Sequence, residues 1–186
     1  MAKGHRKFLD ILNKRPLILD GATGTELQKR GMPPGVCPEL WCIENPGVIA
    51  GVHGDYARAG SDAVYTCTFG ANRIKLGQYG GHDARSVNHS LALIAREAVR
   101  GKAIVLGDIG PTGRFIRPFG ELDFEEAVSV FKEQVEGLLE GGVDGFVIET
   151  MMDIQEARAA LIAVKETCEL FTMVTMTFER DGRTLN

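Results

Sequence analysis

The chain has 186 residues, of which 44% are hydrophobic and 25% charged, and its formal net charge is −4 at pH 7. This balance is typical of one globular domain that buries a core, and it excludes an intrinsically disordered chain. Positive and negative charges are interspersed, so neither a basic stripe for nucleic acid nor a charged patch for a membrane surface is present, and a small molecule or another subunit is the expected partner.

Short apolar runs alternate with longer amphipathic segments along the chain. The runs are apolar throughout, which is typical of strands buried on both faces. In chain order, the predicted strands are Pro16–Asp20, Ala63–Cys67, Ala103–Gly107, Gly145–Glu149 and Phe171–Met176. The intervening segments with helical spacing are Pro46–Ala59, Ser86–Arg100, Phe124–Glu140 and Ile154–Thr167. The pattern predicts parallel strands connected by helices that pack on the sheet.

Such repeating units form either an open doubly wound sheet or a closed barrel. The spacing of strands, roughly 40 residues, suits a barrel with long loops. We therefore expect an α/β fold of the (β/α)8 TIM-barrel family. A complete barrel has eight strands and about 250 residues, so five predicted strands indicate a partial barrel.

Targeting signals and a disulfide framework are both missing from the sequence. The N-terminal segment interrupts its apolar positions with Asp10, Asn13 and Lys14, unlike a secretory signal, and no apolar run reaches the length of a membrane span. The four cysteines are scattered, which favours free thiols in a reducing compartment. These features predict a cytoplasmic protein.

Polar side chains stand at or just after the predicted strands, where barrels carry their active-site groups. They are Asp20, Thr66, Thr68, Asp108, Glu149 and Thr177. Each one taken singly is equally well explained as a cap of a turn or helix. Three carboxylates at equivalent positions of successive units nevertheless favour a binding site.

The loop that follows the first predicted strand, DGATGTE at residues 20–26, opens a short helix. Its glycines permit close approach of the backbone, and its free N–H groups can receive an anion. It is not a P-loop, because no Gly-Lys-Ser/Thr follows. Either a phosphate or a carboxylate suits this loop.

Five segments together resemble successive blocks of the homocysteine S-methyltransferase family. They are LDGATGTEL at 19–27, SDAVYTCTFGANRIKL at 61–76, GDIGPTG at 107–113, GVDGFVIET at 142–150 and MTFERDGRTL at 176–185. Within the family, the likeness is to the homocysteine-binding module of cobalamin-dependent methionine synthase. The resemblance implies that residues 1–186 are the N-terminal part of a barrel domain. It also implies methyl transfer to the thiol of homocysteine in methionine synthesis.

The resemblance also implies a set of substrate-binding residues. Asp20 and Glu149 would hold the ammonium group of homocysteine. Backbone amides of two segments would hold its carboxylate, and their residues are Gly21, Ala22, Thr23, Thr66, Thr68 and Phe69. No catalytic residue and no metal ligand is assigned within the chain.

The family's thiol activation depends on a zinc ion held by three cysteines, and the resemblance places those cysteines on later strands that this chain lacks. The cysteines present, Cys37, Cys42, Cys67 and Cys168, do not predict a substitute site. Cobalamin and methyltetrahydrofolate are implied through other domains or proteins. We therefore expect the chain alone to be inactive in methyl transfer.

Two other interpretations remain. A non-catalytic half-barrel would expose unpaired edges at its first and last strands, which favours association with itself or a partner. A lyase with a Schiff-base lysine would need a lysine at a strand end in an apolar pocket, and Lys75, Lys102 and Lys165 fall outside such positions.

Overall fold

A computed structural model describes residues 3–184 of the chain. Its helices are α1 (Lys3–Leu12), α2 (Thr23–Lys29), α3 (Pro38–Glu44), α4 (Pro46–Ala59), α5 (Arg73–Leu76), α6 (Ala84–Val99), α7 (Phe124–Glu140) and α8 (Ile154–Thr167), with a 3₁₀ turn at Gly77–Tyr79. Its strands are β1 (Ala63–Tyr65), β2 (Ile104–Ile109), β3 (Gly145–Met151) and β4 (Phe171–Met176). The long helices agree with the predicted segments, except that α6 begins two residues earlier, at Ala84.

The strands form one parallel sheet in the order β1-β2-β3-β4. Ala63 lies opposite Ile104, and Leu106 lies opposite Gly145. Each strand is joined to the next through at least one helix, as parallel pairing requires. The predicted α/β architecture of a partial barrel is therefore confirmed, with four of the five expected strands present as a parallel sheet.

The first predicted strand, residues 16–20, is reduced to a single bridge between Leu19 and Ala63. The Ile18 N–H donates to a side-chain oxygen of Asp62 at 2.9 Å instead of to a strand carbonyl. Pro16 has no N–H to donate. The segment therefore lies beside β1, but it forms one bridge where the sequence predicted a strand.

Side-chain caps fix where three of the four long helices begin. Asp83, Asp123 and Asp153 each accept a hydrogen bond from a backbone N–H in the first turn of α6, α7 and α8. Gly60 ends α4 in a left-handed conformation with φ of 106°. Across residues 3–184, the helices are either too short or too polar to cross a bilayer.

Apolar side chains cover both faces of the sheet. The outward face, which includes Val105 and Phe146, packs against the buried sides of α7 and α8. The opposite face, which includes Ile104 and Val147, packs against Phe8 of α1. The Phe8 ring stacks on that of Phe171 with 4.2 Å between centroids. The helix layer and α1 thus leave the other end of the sheet, where the strands finish, open for a site.

Candidate functional site

A cavity of about 520 Å³ lies at the carboxyl ends of the strands. It is bounded by the loop after the Leu19 bridge, the start of α3, and the ends of β1, β2 and β3. All of the predicted binding residues except Thr68 line it, namely Asp20, Gly21, Ala22, Thr23, Thr66, Phe69 and Glu149. Residues distant in sequence are thus brought together because parallel strands finish at one edge of the sheet.

Four carboxyl groups line this cavity, those of Asp20, Glu39, Asp108 and Glu149. Burial raises the pKa of Asp20 to about 7, and the negative charge of Glu149 adds to the shift. Burial likewise raises the pKa of Glu149. The pKa of Asp108 is raised well above its ordinary value, first by burial and then by the charges of Glu149 and Glu39. A cation bound among these carboxyl groups would favour their ionised forms.

Hydrogen bonding distinguishes the carboxyl groups. One Asp20 oxygen accepts a hydrogen bond from the backbone N–H of Tyr65 at 2.9 Å, which fixes the side chain against β1. Asp108 is 5% exposed, and its Oδ1 has no hydrogen-bond partner within residues 3–184. A buried carboxyl oxygen without a partner is costly, and a donor entering the cavity would satisfy it.

The loop at residues 20–24 offers backbone groups to the same cavity. α2 starts at Thr23, and its N-cap Ala22 has no side-chain oxygen to satisfy the N–H groups of the first turn. The Ala22 carbonyl accepts a hydrogen bond from the Tyr56 hydroxyl at 3.0 Å. A Cβ at Gly21 would lie 2.9 Å from that hydroxyl oxygen, so a larger residue there would have to displace the Tyr56 side chain. The loop is therefore held in place with N–H groups available to an anion.

The two predicted threonines bond to each other and to β2. The Asp108 N–H donates to Thr66 Oγ1 at 2.9 Å, and Thr68 Oγ1 donates to the Asp108 carbonyl at 2.7 Å. The two hydroxyl oxygens are 2.6 Å apart, so the Thr66 hydroxyl donates to Thr68. Both side chains are buried, and Thr68 lies outside the cavity lining. Their visible role is to hold residues 66–69 at the cavity, and binding of the substrate carboxylate by the backbone amides of this segment stays a prediction.

Glu39 was missed by the sequence analysis. It is 5% exposed, lines the cavity, and accepts a hydrogen bond from the Gly70 N–H at 2.5 Å. Its other oxygen accepts from the Cys37 thiol at 3.1 Å. In sequence, a glutamate in the first turn of a short helix is typical of a solvated position, so no local signal marks it. Asp108 was recognised in the sequence as one of three carboxylates that follow predicted strands, but it was not assigned to the site.

The cysteines do not fit a zinc centre. Cys42 Sγ and Cys67 Sγ are 3.7 Å apart, while the Cys37 thiol bonds to Glu39. The contact with Cys42 and burial raise the pKa of Cys67, and burial raises that of Cys37 to about 11, so both thiols hold their protons. Within the part of the chain that the structure describes, three or more His, Cys, Asp or Glu side chains nowhere converge to hold a metal ion.

The raised pKa of Asp20 predicts that the free energy of unfolding depends on pH. Between its ordinary value of 3.8 and its folded value of about 7, the folded state keeps a proton that the unfolded chain releases. The free energy of unfolding therefore falls through this window as pH rises. We expect Asp20→Asn to remove that loss. Urea titrations at pH 5, 6, 7 and 8 should therefore show that the free energy of unfolding of the variant increasingly exceeds that of the parent.

Asp10→Asn, at an exposed position of α1, serves as the control for this experiment. An advantage independent of pH would contradict the assignment.

Comparison with known protein families identifies one family over most of the chain. Residues 17–186 match the family model for homocysteine S-methyltransferase. Methionine synthase from Mycobacterium tuberculosis is 33% identical over 170 residues, which cover 83% of this chain and 14% of that protein. Homocysteine S-methyltransferase from Escherichia coli is 33% identical over 171 residues, covering 80% of this chain and 54% of that one. The chain thus spans between a seventh and about half of the length of these relatives.

Solved structures show the same architecture. The metallated form of the homocysteine methyltransferase MmuM from Escherichia coli superposes with a TM-score of 0.81 at 26% identity, covering 98% of this chain and 71% of that one. Its oxidised form gives a TM-score of 0.82, with 99% and 70% covered. The likeness extends over nearly all of this chain and leaves more than a quarter of MmuM without a counterpart.

Proposed function

This chain belongs to the homocysteine S-methyltransferase family, and from that premise we propose that residues 1–186 form the N-terminal, homocysteine-binding part of a methyltransferase barrel. The proposal is supported by the family match over residues 17–186 and by the chemistry of the cavity. Homocysteine carries an ammonium group, a carboxylate and a thiol. The cavity offers carboxyl groups for the first and free backbone N–H groups for the second.

The ammonium group would lie among the carboxyl groups of Asp20, Glu149 and Asp108. Burial raises their pKa values, so a bound cation would favour their ionised forms and form charge-assisted hydrogen bonds. It would also supply the donor that Asp108 Oδ1 lacks. The substrate carboxylate would then lie at the N–H groups of residues 21–24, at the start of α2.

The observation that carries this proposal is the convergence of the Asp20, Asp108 and Glu149 carboxyl groups beside an N–H-rich loop in one cavity. Its test is the affinity of the chain for two ligands by isothermal titration calorimetry. Homocysteine should bind at least about 30-fold more tightly than 4-mercaptobutyrate, which has the carboxylate and thiol but no ammonium group to pair with the carboxyl groups of the cavity. Equal affinities for the two ligands would contradict the ammonium site.

Methyl transfer needs more than this part supplies. The family resemblance implies that a zinc ion lowers the pKa of the substrate thiol in a complete domain, and the described residues of this chain do not fit such a centre. No step of the transfer is therefore assigned to them. We propose that the thiolate site and the methyl donors, cobalamin and methyltetrahydrofolate, belong to other parts of a methionine synthase system. The small share of the mycobacterial enzyme that this chain covers supports that arrangement.

A second candidate role is association through the sheet edge. In the described residues, β4 pairs with β3 on one side only, and Val174 on it is 40% exposed. A free strand edge is a template for pairing with another strand. Sedimentation equilibrium of the chain tests this role, since a compact monomer at all concentrations would exclude self-association.

A further inference from the structure

The end of β3 is irregular just where it reaches the cavity. Ile148 lies opposite Val174 and Met151 lies opposite Met176, so three steps on β3 match two on β4. One extra residue is therefore inserted into β3, which is a β-bulge. The bulge contains Glu149 and Thr150.

The bulge changes which side chains face the cavity. Along β3, Phe146 and Ile148 pack on the helix layer, and strict alternation would send residue 150 to the same face. Met151 takes that place instead and is fully buried in the same core cluster. Thr150 lines the cavity together with Glu149. Two adjacent residues thus reach the site from one strand.

This arrangement holds Thr150 in an unfavourable backbone conformation. Its φ is 58°, in the left-handed region where glycine is the usual residue and β-branched side chains are rare. Arg100, at the end of α6, is the other residue besides glycine with positive φ in residues 3–184. A strained β-branched residue that lines a cavity is a candidate for a role in that cavity.

The hydrogen bonds at Thr150 leave its side chain available. The Thr150 N–H donates to Thr175 Oγ1 at 3.1 Å, which ties the bulge to β4. The Thr150 hydroxyl makes no hydrogen bond to another group within the described residues, and the residue is exposed. A glycine would fit the backbone better, so the fold alone does not account for a hydroxyl here.

We propose that Thr150 is a substrate-binding residue whose hydroxyl accepts a hydrogen bond from the ammonium group held by Glu149. The inference rests on the proposed homocysteine site and adds a specificity-determining residue to it. The bulge brings Glu149 and Thr150 to the lining of the same cavity, so the two side chains would recognise one ammonium group from adjacent positions.

The test compares Thr150→Val, which keeps the branched shape and loses the hydroxyl, with Thr150→Ser, which keeps the hydroxyl. By calorimetry with homocysteine, the valine variant should bind about 5- to 10-fold more weakly, and the serine variant within about 2-fold of the parent. Arg100→Gly, which removes the other unfavourable backbone position far from the cavity, should leave the affinity unchanged. Parental affinity in Thr150→Val, or equal losses in the valine and serine variants, would overturn the proposal.

A second ligand separates ammonium contact from a structural effect. With 4-mercaptobutyrate, which has no ammonium group, Thr150→Val should bind as well as the parent. Equal losses with both ligands would show that the substitution disturbs the cavity and would overturn the proposal. If the parent chain itself fails to bind homocysteine, the proposed function fails. If the parent binds and Thr150→Val binds equally well, the role of Thr150 alone fails.

Discussion

Glu149→Gln is expected to weaken homocysteine binding about 100-fold, the largest functional effect of any single substitution in the cavity. The amide matches the carboxyl group in shape but carries no charge to pair with the substrate ammonium. Glu149 is also the group whose charge acts on both Asp20 and Asp108, so it is the electrostatic centre of the site. Calorimetry at pH 8, above the folded pKa of Asp20, measures the loss with the Asp20 carboxyl group mostly ionised.

The control for this experiment is Glu97→Gln, the same chemical change at an exposed position of α6. It alters the net charge equally and should leave the affinity unchanged. If the two glutamine variants bind homocysteine alike, the effect of Glu149 is a general charge effect and the ammonium assignment is wrong. Asp20→Asn should shift the affinity in the same direction as Glu149→Gln, since both groups are assigned to the same ammonium.

Phe131→Ala is expected to lower the free energy of unfolding by about 3–5 kcal/mol, the largest effect on stability. Phe131 lies on α7, is fully buried, and belongs to the core cluster between the sheet and the helix layer. Removing its ring deletes apolar contacts and leaves a cavity that close-packed neighbours fill only partly. Urea titration followed by circular dichroism measures the change.

Phe119→Ala is the matched control for the core substitution. Phe119 is 69% exposed in the loop between β2 and α7, so its truncation should change the free energy of unfolding by less than about 0.5 kcal/mol. A loss at position 119 as large as that at position 131 would mean that the loop is packed in solution and that the assigned core is incomplete.

Much of the fold was predictable because its signals are local. Apolar runs near residues 63, 104, 145 and 171 predicted the four strands, and three of the four long helices match their predicted ends. Aspartate caps and glycine stops act on their own neighbours in sequence, so their effect can be seen without the tertiary structure. The first strand was predicted too long: residues 16–20 keep backbone hydrogen bonds to β1, such as that from the Asp20 N–H to the Ala63 carbonyl, but they form a single bridge. The Ile18 N–H donates instead to Asp62, 44 residues away in sequence.

The site was predictable only where its residues follow strands. The strand-end carboxylates and the loop at 20–24 were found because parallel strands finish at one edge of a sheet. Glu39 was not found, because its burial depends on contact with Gly70 in another unit. The hydroxyls of Thr66 and Thr68 turned out to bond to β2, a choice that depends on the pairing of two strands.

By itself, then, the sequence determined the alternation of strands and helices, the family, and the set of carboxyl groups carried to one edge of the sheet. Only the tertiary structure decided which polar groups are buried, and with it the raised pKa of Asp20 and the partnerless oxygen of Asp108. It also decided the bulge that turns Thr150 toward the cavity. The physical reason is that periodicity and capping act between neighbours in sequence, whereas burial, strand register and electrostatic coupling arise between segments that meet only when the chain has folded.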